Sequence, residues 1–475
     1  MDENFIKDNI NNNLFKVISE CADQTNLDCY VIGGFVRDLV MGIKKPKDID
    51  ILVVGDGIEI AKKVCEKLNS NSKVNIYKNF RTAAFSYNNM ELEFVGSRKE
   101  SYKSSSRNPQ VEIGTLDDDL NRRDFTINSI GICLNSKKWG EILDKFNGLK
   151  DIKNKVIKTP LDPIKTFSDD PLRMLRGIRF SCQLGFLIQP ECLKTISLEK
   201  NRIKIISGER ISEELNKILM TKNPSIGFKI LYETGILEII LPELTDLKGI
   251  DEIEGHKHKD NFYHTLEVLD NICQTTENVW LRWAALLHDI GKAPTKKFIK
   301  EIGWTFHGHE LKGSKMVYKI FKRLSLPLNN KLKYVQKIIY MSSRPIVLSN
   351  YDVSDSAVRR LIYDAKDDVD DLLTLCEADI TTKNPNRFKK YLNNFKKVRG
   401  KIIEVEKRDQ IRNFQPPISG EEIMNYFNLK PGKEIGILKE FIKESILDGK
   451  ITNDYNSAKA LMIKKGIELG LKMKK

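Results

Sequence analysis

The chain has 475 residues, of which 40% are hydrophobic and 30% charged, a composition typical of a globular protein with three or four domains. Lysine and arginine total 79 against 65 aspartate and glutamate, so the net charge is +14, and the excess is spread along the chain. This charge favours a polyanionic partner, nucleic acid above all, although a generally lysine-rich proteome would produce the same excess.

Eight cysteines are scattered from Cys21 to Cys376 without a C-x-x-C pair, which predicts reduced core thiols rather than a disulfide framework or a zinc cluster. The opening residues, MDENFIKDNINNN, lack the apolar core of a signal peptide, and no apolar run approaches membrane-spanning length. We therefore expect a cytoplasmic protein with no membrane partner.

The first predicted element is an amphipathic helix over about Phe5–Asn26, where apolar residues recur at helical spacing. The stretch Tyr30–Asp50, YVIGGFVRDLVMGIKKPKDID, then predicts a strand, a glycine turn, a helix and the start of a second strand. Gly33 and Gly34 allow backbone N–H groups to approach a phosphate closely, and Arg37 is placed one turn on to bind its oxygens. A glycine pair by itself is more often only a turn.

Two acids, Asp48 and Asp50, open the second strand. Because they lie two residues apart in an extended segment, both carboxylates point to the same face. Such a pair can share two divalent ions about 3.5–4 Å apart, the arrangement used for in-line phosphoryl displacement. A lone D-x-D is more often a solvated loop, so the inference depends on its combination with the glycine turn.

The rest of this region predicts one helix and three short strands: Ile58–Leu68, Val74–Tyr77, Thr82–Ser86 and Glu91–Val95. In the last strand, Glu91 and Glu93 alternate with apolar residues and share the face opposite the core. Either is a candidate third metal carboxylate, with Glu93 preferred, and a solvated strand edge is the alternative.

A polar segment, Ser97–Asn121, is interrupted by Pro109 and Gly114, which predicts a long functional loop. The run RRDFTINSI follows it. In this run Arg123, at a junction of elements beside a triphosphate site, is a candidate nucleotide ligand, although a lone arginine there would more often form a surface salt bridge.

The run DDPLRMLRGIRF, from Asp169 to Phe180, predicts a helix that begins near Pro171. Arginines at positions 173, 176 and 179 form one cationic stripe beside apolar positions. An ionised Asp170 only accepts hydrogen bonds and Arg173 only donates them, so the pair matches the Watson–Crick edge of cytosine or adenine. Guanine and uracil would leave buried groups unpaired at about 1–3 kcal/mol each. An ordinary salt-bridged helix is the alternative.

In this order, GGFVRD, KDID, RRDFTIN and DDPLRMLRGIRF resemble the bacterial-type (class II) tRNA nucleotidyltransferases, the CCA-adding enzymes and their poly(A) polymerase relatives. The resemblance extends from about Tyr30 to Glu243, through ISGERISEELNKIL and GFKILYETGILEIILPEL. It implies an α+β fold, in which a DNA polymerase beta-like nucleotidyltransferase head with a small mixed sheet is followed by an all-α neck.

By motif matching, the resemblance implies that Asp48 and Asp50 are catalytic and bind Mg²⁺. The residues that it implies for nucleotide binding are Gly34, Arg37, Arg123, Asp170, Arg173, Arg176 and Arg179. The family's base-selecting motif often begins Glu-Asp, whereas this chain has Asp169 at the first position. The shorter acid keeps the charge but changes its reach, so Asp169 is given no role.

All six histidines fall within Gly255–Glu310, at His256, His258, His264, His288, His307 and His309. With NFYHTLEVL, LLHDIGK, FHGHE and EADI, this region resembles the HD metal-dependent phosphohydrolase superfamily. The metal ligands that the resemblance implies are His264, His288, Asp289 and Asp379, with His309, and less clearly His307, for a second metal. A divalent metal and a phosphohydrolase activity are expected, and an inactive structural helical domain is the alternative.

The last segment, from about Arg399, predicts basic helices opened by Ser419-Gly420 and Pro431-Gly432. It resembles the tail of CCA-adding enzymes and would grip tRNA, with a dimer contact or a solvated face as alternatives. The expected domains are a head at 1–160, a helical neck at 161–248, an HD domain at 249–395 and a basic tail at 396–475.

The resemblance therefore implies an untemplated enzyme that adds C, C and A to the 3′ end of tRNA from CTP and ATP. A CC-only adder, an A-only adder and a poly(A) polymerase share the fold, and the long Ser97–Asn121 segment argues against the first, since in this family such a loop is associated with the switch to A. Two further alternatives are an HD phosphodiesterase with a non-catalytic RNA-binding head and a purely structural RNA-binding protein, which the intact carboxylate pair disfavours. The sequence leaves the oligomeric state open.

Overall fold

The computed structural model describes residues 3–43, 48–70, 72–78, 81–101, 110–253, 256–257, 259–349 and 354–473. The chain divides into two compact units, Met1–Pro242 and Glu243–Lys475. The expected finer division into head, neck, HD domain and tail stays a prediction.

The first unit is built on a mixed sheet of seven strands. Its strands and those of two smaller sheets are β1 Cys29–Ile32, β2 Asp48–Val53, β3 Asn75–Tyr77, β4 Thr82–Tyr87, β5 Met90–Gly96, β6 Arg98–Ser101, β7 Gln110–Ile113, β8 Gly131–Cys133, β9 Ile142–Leu143, β10 Val156–Ile157 and β11 Leu187–Ile188. The main sheet has the order β3-β4-β5-β2-β1-β8-β9. In it β2 and β5 are parallel and the other neighbours are antiparallel.

Helices surround this sheet and continue beyond it. They are α1 Glu3–Ile10, α2 Asn13–Thr25, α3 Gly34–Val40, α4 Gly57–Lys67, α5 Leu116–Asn121, α6 Gly148–Asn154, α7 Pro163–Asp169, α8 Leu172–Leu184, α9 Pro190–Glu199, α10 Gly208–Leu219, α11 Ser225–Glu233 and α12 Ile236–Ile240. Short 3₁₀ helices lie at Thr126–Asn128, Ser136–Lys138 and Lys200–Ile205. The predicted order of strand, glycine turn, helix and strand at the start of the chain is confirmed.

The single helix predicted over Phe5–Asn26 is wrong, because two helices, α1 and α2, occupy it. The break falls in the asparagine run, where the side chain of Asn12 accepts a hydrogen bond from the N–H of Phe15 and caps α2. Asparagine side chains compete with backbone hydrogen bonds inside helices, so this run ends one helix and starts the next.

The long loop predicted over Ser97–Asn121 is also wrong in its described part. Strands β6 and β7 form an antiparallel ladder, and α5 follows with a capping box between Thr115 and Asp118. Polar residues suit this hairpin because β6 and β7 are largely exposed. Residues 102–109 of the predicted loop lie outside the described residues.

Helix α8 places the predicted arginines Arg173 and Arg176 against the segment between α5 and β8. Its apolar face, which includes Leu172, Leu175 and Ile178, is buried and packs against α10 and α11. Gly185 ends the helix in the left-handed conformation, φ 68°. Because Leu175 is fully buried, its truncation to alanine should cost about 2–5 kcal/mol of unfolding free energy.

The second unit is almost entirely helical, and α13 lies at its boundary with the first. The helices are α13 Pro242–Thr245, α14 Asn261–Cys273, α15 Val279–Leu287, α16 Lys292–Thr295, α17 His309–Arg323, α18 Asn330–Met341, α19 Arg344–Ser349, α20 Asp355–Ala365, α21 Val369–Ala378, α22 Pro385–Asp409, α23 Gly420–Phe427, α24 Lys433–Leu447 and α25 Tyr455–Glu468. Two hairpins, β12 Glu252–Ile253 with β13 His256–Lys257 and β14 Lys297–Ile299 with β15 Gly303–Thr305, complete it.

The centre of this unit is α15, which packs against α14, α18 and α21. Nearly all of its residues are buried, including Trp283 and Arg282, whose guanidinium donates to the carbonyl of Thr276, so the helix has no solvated face. A helix that is apolar on all sides must be enclosed by others. The two helix starts predicted for the tail are confirmed, since α23 begins after Ser419 and α24 after Gly432.

Candidate active site and metal centre

The turn between β1 and α3 brings the chain close to a carboxylate. Gly33 has φ +82°, and a Cβ at this position would lie 3.4 Å from Oδ2 of Asp50. Its N–H donates to the carbonyl of Ile130 at 3.1 Å, so that group is occupied within the fold. Gly34 begins α3. Two glycines were expected to donate backbone N–H groups to a phosphate. Because the N–H of Gly33 is already used, this role falls to the N–H of Gly34.

Four acids share one face of the parallel pair β2–β5. Asp48 lies beside Glu91 and Asp50 beside Glu93 in the register of the two strands. Burial raises the pKa of Asp50, and the Arg123 guanidinium counteracts this while the Asp48 carboxylate adds to it. Burial and charge repulsion from Asp50 raise the pKa of Glu93. Crowded carboxylates of this kind fit a divalent cation, because a hard cation takes oxygen ligands and offsets their repulsion.

Two arginines point into the region of the glycine turn. Arg37 is buried, and it donates to Oδ1 of Asp38 and to Oδ1 of Asn128, each at 2.8 Å. Arg123 donates to Oδ2 of Asp119 at 3.1 Å and to the carbonyl of Asn128 at 3.4 Å. Asp119 is fully buried, yet the two adjacent guanidinium groups of Arg122 and Arg123 lower its pKa against the effect of burial.

The predicted base-selecting pair lies at the junction of α7 and α8. Asp170 follows α7, and its Oδ1 accepts a hydrogen bond from the N–H of Leu172 at 3.1 Å. Arg173 is buried and donates from Nη2 to the carbonyl of Arg122 at 2.6 Å and from Nη1 to that of Thr166 at 3.4 Å. Both side chains are thus fixed at the start of α8 by the backbone around them.

A buried hydrogen-bond chain connects α3 to α8. Arg37 donates to Asn128, the amide of Asn128 donates to Oδ1 of Asp124 at 3.1 Å, and Arg176 donates to Oδ2 of Asp124 at 2.8 Å. Although burial alone would raise the pKa of Asp124, Arg176 and Asn128 lower it to about 2. Sequence reasoning gave no role to Asp124 or Asn128, although both stand in the RRDFTIN run that it singled out.

Three of the predicted arginines lie around the ring of Phe180. The guanidinium carbons of Arg179, Arg37 and Arg176 lie 4.0, 5.2 and 5.5 Å from the ring centroid. Arg179 also donates to Oε2 of Glu214 on α10 at 2.6 Å. Burial lowers the pKa of Arg179 and Glu214 opposes this. Phe180 and Glu214 had no place in the predicted site, because α8 alone does not reveal what it packs against.

The predicted HD residues converge in the second unit. Single ligand atoms of His264, His288 and Asp379 all lie within 4.8 Å of one another. Nε2 of His264 is 2.8 Å from Oδ1 of Asp379, and Oδ2 of Asp289 is 3.4 Å from Nε2 of His288 and 3.8 Å from Nε2 of His264. Neighbouring His288 and Asp289 thus both lie at this cluster.

Surrounding groups orient these ligands. Nδ1 of His288 lies 2.8 Å from the carbonyl of Ala285, while its Nε2 is buried and has no hydrogen-bond partner among the described residues. Lys292 donates to Oδ2 of Asp289 at 2.7 Å, and this lysine with the two histidines lowers the pKa of Asp289 against the effect of burial. A buried imidazole nitrogen aimed at carboxylates, with its other nitrogen held by a carbonyl, fits a metal ligand.

His309 lies at the edge of this cluster. Its Nε2 is 3.9 Å from Oδ1 of Asp289, and its Nδ1 is 2.9 Å from the carbonyl of Phe306. It therefore faces the second oxygen of Asp289, as expected of a second-metal ligand. His307 is exposed, and the side chains of His256 and His258 lie outside the described residues.

A cavity of about 400 Å³ opens beside the cluster. Its lining includes His264, Asp379, Lys259, Thr381 and Tyr391. Nζ of Lys259 lies 2.8 Å and Oγ1 of Thr381 3.1 Å from Nδ1 of His264. Sequence reasoning missed Lys259 and Thr381, which carry no motif signal.

All eight cysteines are free. None of the helices in the described part of the chain is both long and apolar enough to cross a membrane.

Three family models match the chain. They are described as the poly A polymerase head domain, over residues 29–158, as a probable RNA and SrmB-binding site of polymerase A, over residues 185–248, and as the HD domain, over residues 261–382. A multifunctional CCA protein of Mannheimia succiniciproducens is 32% identical over 319 residues, which cover 63% of this chain and 71% of the relative. A multifunctional CCA protein of Psychromonas ingrahamii is 30% identical over 379 residues, which cover 77% and 83%.

Solved structures share the fold. The Bacillus stearothermophilus CCA-adding enzyme in complex with CTP matches with a TM-score of 0.67 at 19% identity, covering 97% of this chain and 99% of that one. The Thermotoga maritima CCA-adding enzyme complexed with tRNA-CCA matches with a TM-score of 0.60 at 23% identity, covering 95% of each chain. The α+β fold predicted from the sequence is confirmed.

Proposed function

The chain belongs to the family of the multifunctional CCA proteins, and we propose that it is a tRNA nucleotidyltransferase that adds C, C and A, from CTP and ATP, to the 3′ end of tRNA. One observation supports this above the others: the glycine turn, the acids of β2 and the arginines of α3 and α8 lie around one site in the first unit. A polyanionic RNA partner also agrees with the net charge of +14.

In the proposed reaction, the terminal 3′-hydroxyl of tRNA attacks the α-phosphate of the nucleotide, the bond to the β-phosphate breaks, and pyrophosphate leaves. Divalent metal ions serve this head, and we propose Mg²⁺ held by Asp48 and Asp50, with Glu93 as a third carboxylate. When bound, such ions polarise the phosphate and stabilise the charge on the leaving group.

Gly34, Arg37 and Arg123 are proposed to position the triphosphate, together with Arg176 and Arg179. Their guanidinium groups are already held by Asn128, Asp119, Asp124 and Glu214, so little reorganisation is needed when the anion binds.

The decisive experiment supplies tRNA transcripts that end before C, after C, after CC and after CCA with each nucleotide in turn. We expect CMP, CMP and AMP to be added in that order, with addition stopping after A. A long adenylate ladder would indicate a poly(A) polymerase instead, and products that stop at CC or that require a CC end would indicate a partial adder. Asp50→Ala should abolish incorporation and leave tRNA binding nearly intact.

Base selection is proposed to depend on Asp170 and Arg173. Exchanging the two residues reverses the acceptor and the donor, so the preference should shift from CTP and ATP toward UTP and GTP. Asp169→Asn is the matched control, since it removes a neighbouring acid with no proposed role. Equal nucleotide selectivity in the exchanged variant and in the control would contradict the assignment.

For the second unit we propose a divalent-metal phosphohydrolase centre formed by His264, His288, Asp289 and Asp379, with His309 at a second metal. The buried Nε2 of His288 supports it, because this atom has no hydrogen-bond partner in the part of the chain that the structure describes. The free cysteines agree with a cytoplasmic location, which we propose on that ground. The basic tail, residues 396–475, is proposed to contribute to tRNA binding.

A further inference from the structure

Helix α17 begins at His309, beside the metal cluster, and carries a row of lysines along its outer face. Lys312, Lys315, Lys319 and Lys322 are spaced three, four and three residues apart, which places them within about a third of the helix circumference. All four are exposed. We call these four residues the lysine ridge.

The ridge has no counter-charge in the described structure. No carboxylate there forms an ion pair with any of the four lysines, whereas Arg323, at the end of the same helix, is bound by Glu243. Lysines on an ordinary solvated helix face are commonly balanced by acids one turn away, as Lys63 is by Glu59 on α4. Among the residues that the structure describes, the lysine ridge is thus a row of positive charge without an ion-pair partner.

Its length and direction suit a nucleic-acid backbone. At 1.5 Å per residue, the ridge extends from about 5 Å to about 20 Å along the helix from His309. Two exposed side chains lie on its flank, Leu311 at 47% and Tyr318 at 47% relative exposure. Proteins bind single-stranded nucleic acid with basic side chains along the phosphate backbone and with aromatic rings on which the bases stack. The lysine ridge with Tyr318 on its flank has both features.

The rest of the helix argues against a membrane surface. Its main apolar face, which includes Val317, Ile320 and Phe321, is fully buried inside the unit, and the exposed Leu311 lies outside that face. A helix that lies on a bilayer must present an apolar face to the acyl chains. Here that face is already occupied by the protein.

We propose that the lysine ridge binds the phosphate backbone of a single-stranded RNA segment and leads it to the metal cluster at the start of α17. The proposal rests on the proposed function only in taking RNA as the polyanion. It assigns an RNA contact to the second unit that is separate from the nucleotide site of the first.

The test measures binding of a fluorescein-labelled single-stranded RNA of about 12 nucleotides to the full chain by anisotropy, over a series of salt concentrations and without nucleotides. Each Lys→Gln substitution in the ridge should reduce the slope of log K against log salt by about 0.7, and the fourfold variant by about 3. Lysine and glutamine have similar helix propensities, so the variants should keep the fold.

The matched control replaces four exposed lysines elsewhere in the unit, Lys297, Lys300, Lys366 and Lys383, by glutamine. This control variant loses the same four positive charges, and its slope of log K against log salt should stay close to that of the wild type. The proposal would be overturned if the slope fell equally in both fourfold variants, or if it fell in neither. A ridge variant that still binds RNA normally but no longer binds phosphatidylserine vesicles would also overturn it.

A second measurement locates the contact. The same RNA, carrying 4-thiouridine near its 3′ end, should photo-crosslink to peptides of α17 in the wild-type chain and lose that crosslink in the ridge variant. Crosslinks only to the first unit would contradict the proposal. Neither measurement needs CTP or ATP. A chain that does not add CCA can therefore be distinguished from a chain whose lysine ridge does not bind RNA.

Discussion

Asp124 and Asn128 hold the arginines of two different elements in one arrangement. Asp124 accepts from Arg176 of α8 and from Asn128, which in turn accepts from Arg37 of α3. A buried charge is tolerated only when it is paired and hydrogen-bonded, and each member of this chain satisfies another. The residues that would bind the triphosphate are therefore pre-positioned by residues that would not touch it.

The ion pair of Asp124 should make the stability of the first unit depend on acid pH. Its pKa in the folded state is about 2, below its ordinary value. The stabilisation, about 2 kcal/mol, is thus fully present above about pH 4 and is lost as the pH falls toward 2. In urea unfolding between about pH 5 and about pH 3, the wild type should lose about 1 kcal/mol more than Asp124→Asn. Parallel pH profiles for the two proteins would refute the assignment.

Glu93 and Glu91 offer a test of which acid completes the metal site. Glu93 pairs with Asp50 in the strand register, whereas Glu91 pairs with Asp48 and accepts a hydrogen bond from Ser86. Glu93→Gln should raise the Mg²⁺ concentration that gives half-maximal CMP incorporation about tenfold, by the loss of one charged ligand. Glu91→Gln is the matched control and should change it less than about twofold. The reverse order of effects would move the third carboxylate to Glu91.

The turn from β1 to α3 requires glycine at position 33 more strictly than at position 34. Gly33 has a positive φ, and its Cα faces Asp50. Gly34 has neither feature, since an added Cβ would have an ordinary contact with Arg37 at 3.6 Å.

Gly33→Ala should therefore cost about 1–2 kcal/mol in backbone strain, and relief of that strain would shift the turn that lies against Asp50. We expect the rate of CMP incorporation to fall about tenfold to a hundredfold, because catalytic groups tolerate little displacement. In Gly34→Ala the rate should fall much less, which makes it the control for loss of a glycine. Similar single-turnover rates for both variants would contradict this account of the turn.

Across the whole molecule, two candidate sites with different ligand chemistry lie in separate units. The first uses carboxylates and arginines around a glycine turn, and the second uses imidazoles and carboxylates among helices. Each is built from residues of its own unit. They should therefore be separable by mutation.

The double variant His288→Ala, Asp289→Asn should lose the divalent metal bound by the second unit and still incorporate CMP into tRNA at close to the wild-type rate. Bound metal is measured by atomic absorption, and incorporation by gel analysis of labelled tRNA. His307→Ala, which removes an exposed histidine, should retain the metal. Loss of CMP incorporation in the double variant with its fold intact would show that the two sites are not independent.

Much of this protein follows from local sequence. The alternation of Asp48, Ile49 and Asp50 places two acids on one face of a strand, and the helical spacing of 173, 176 and 179 places three arginines on one helix. The HD motif likewise singled out side chains that the structure brings together in the second unit, and their role as metal ligands stays a prediction. Where polar composition alone was used, over Ser97–Asn121, the prediction was wrong for the described residues, because exposed strands such as β6 and β7 have the same polar composition as a loop.

The partners of these residues could only come from the tertiary structure. Arg37 meets Asn128 across 91 positions, Arg179 meets Glu214 across 35, and Glu93 reaches Asp50 only because β2 and β5 pair in parallel. The sequence by itself thus determined the strands and helices that carry the candidate site residues, the face that these side chains occupy and the class of chemistry, but not the break between α1 and α2 or the strands β6 and β7. The tertiary structure decided which groups hold the arginines and which acid lies beside Asp50. The physical reason is that periodicity reports a residue's position on its own strand or helix, whereas contacts between elements depend on how their buried surfaces pack together.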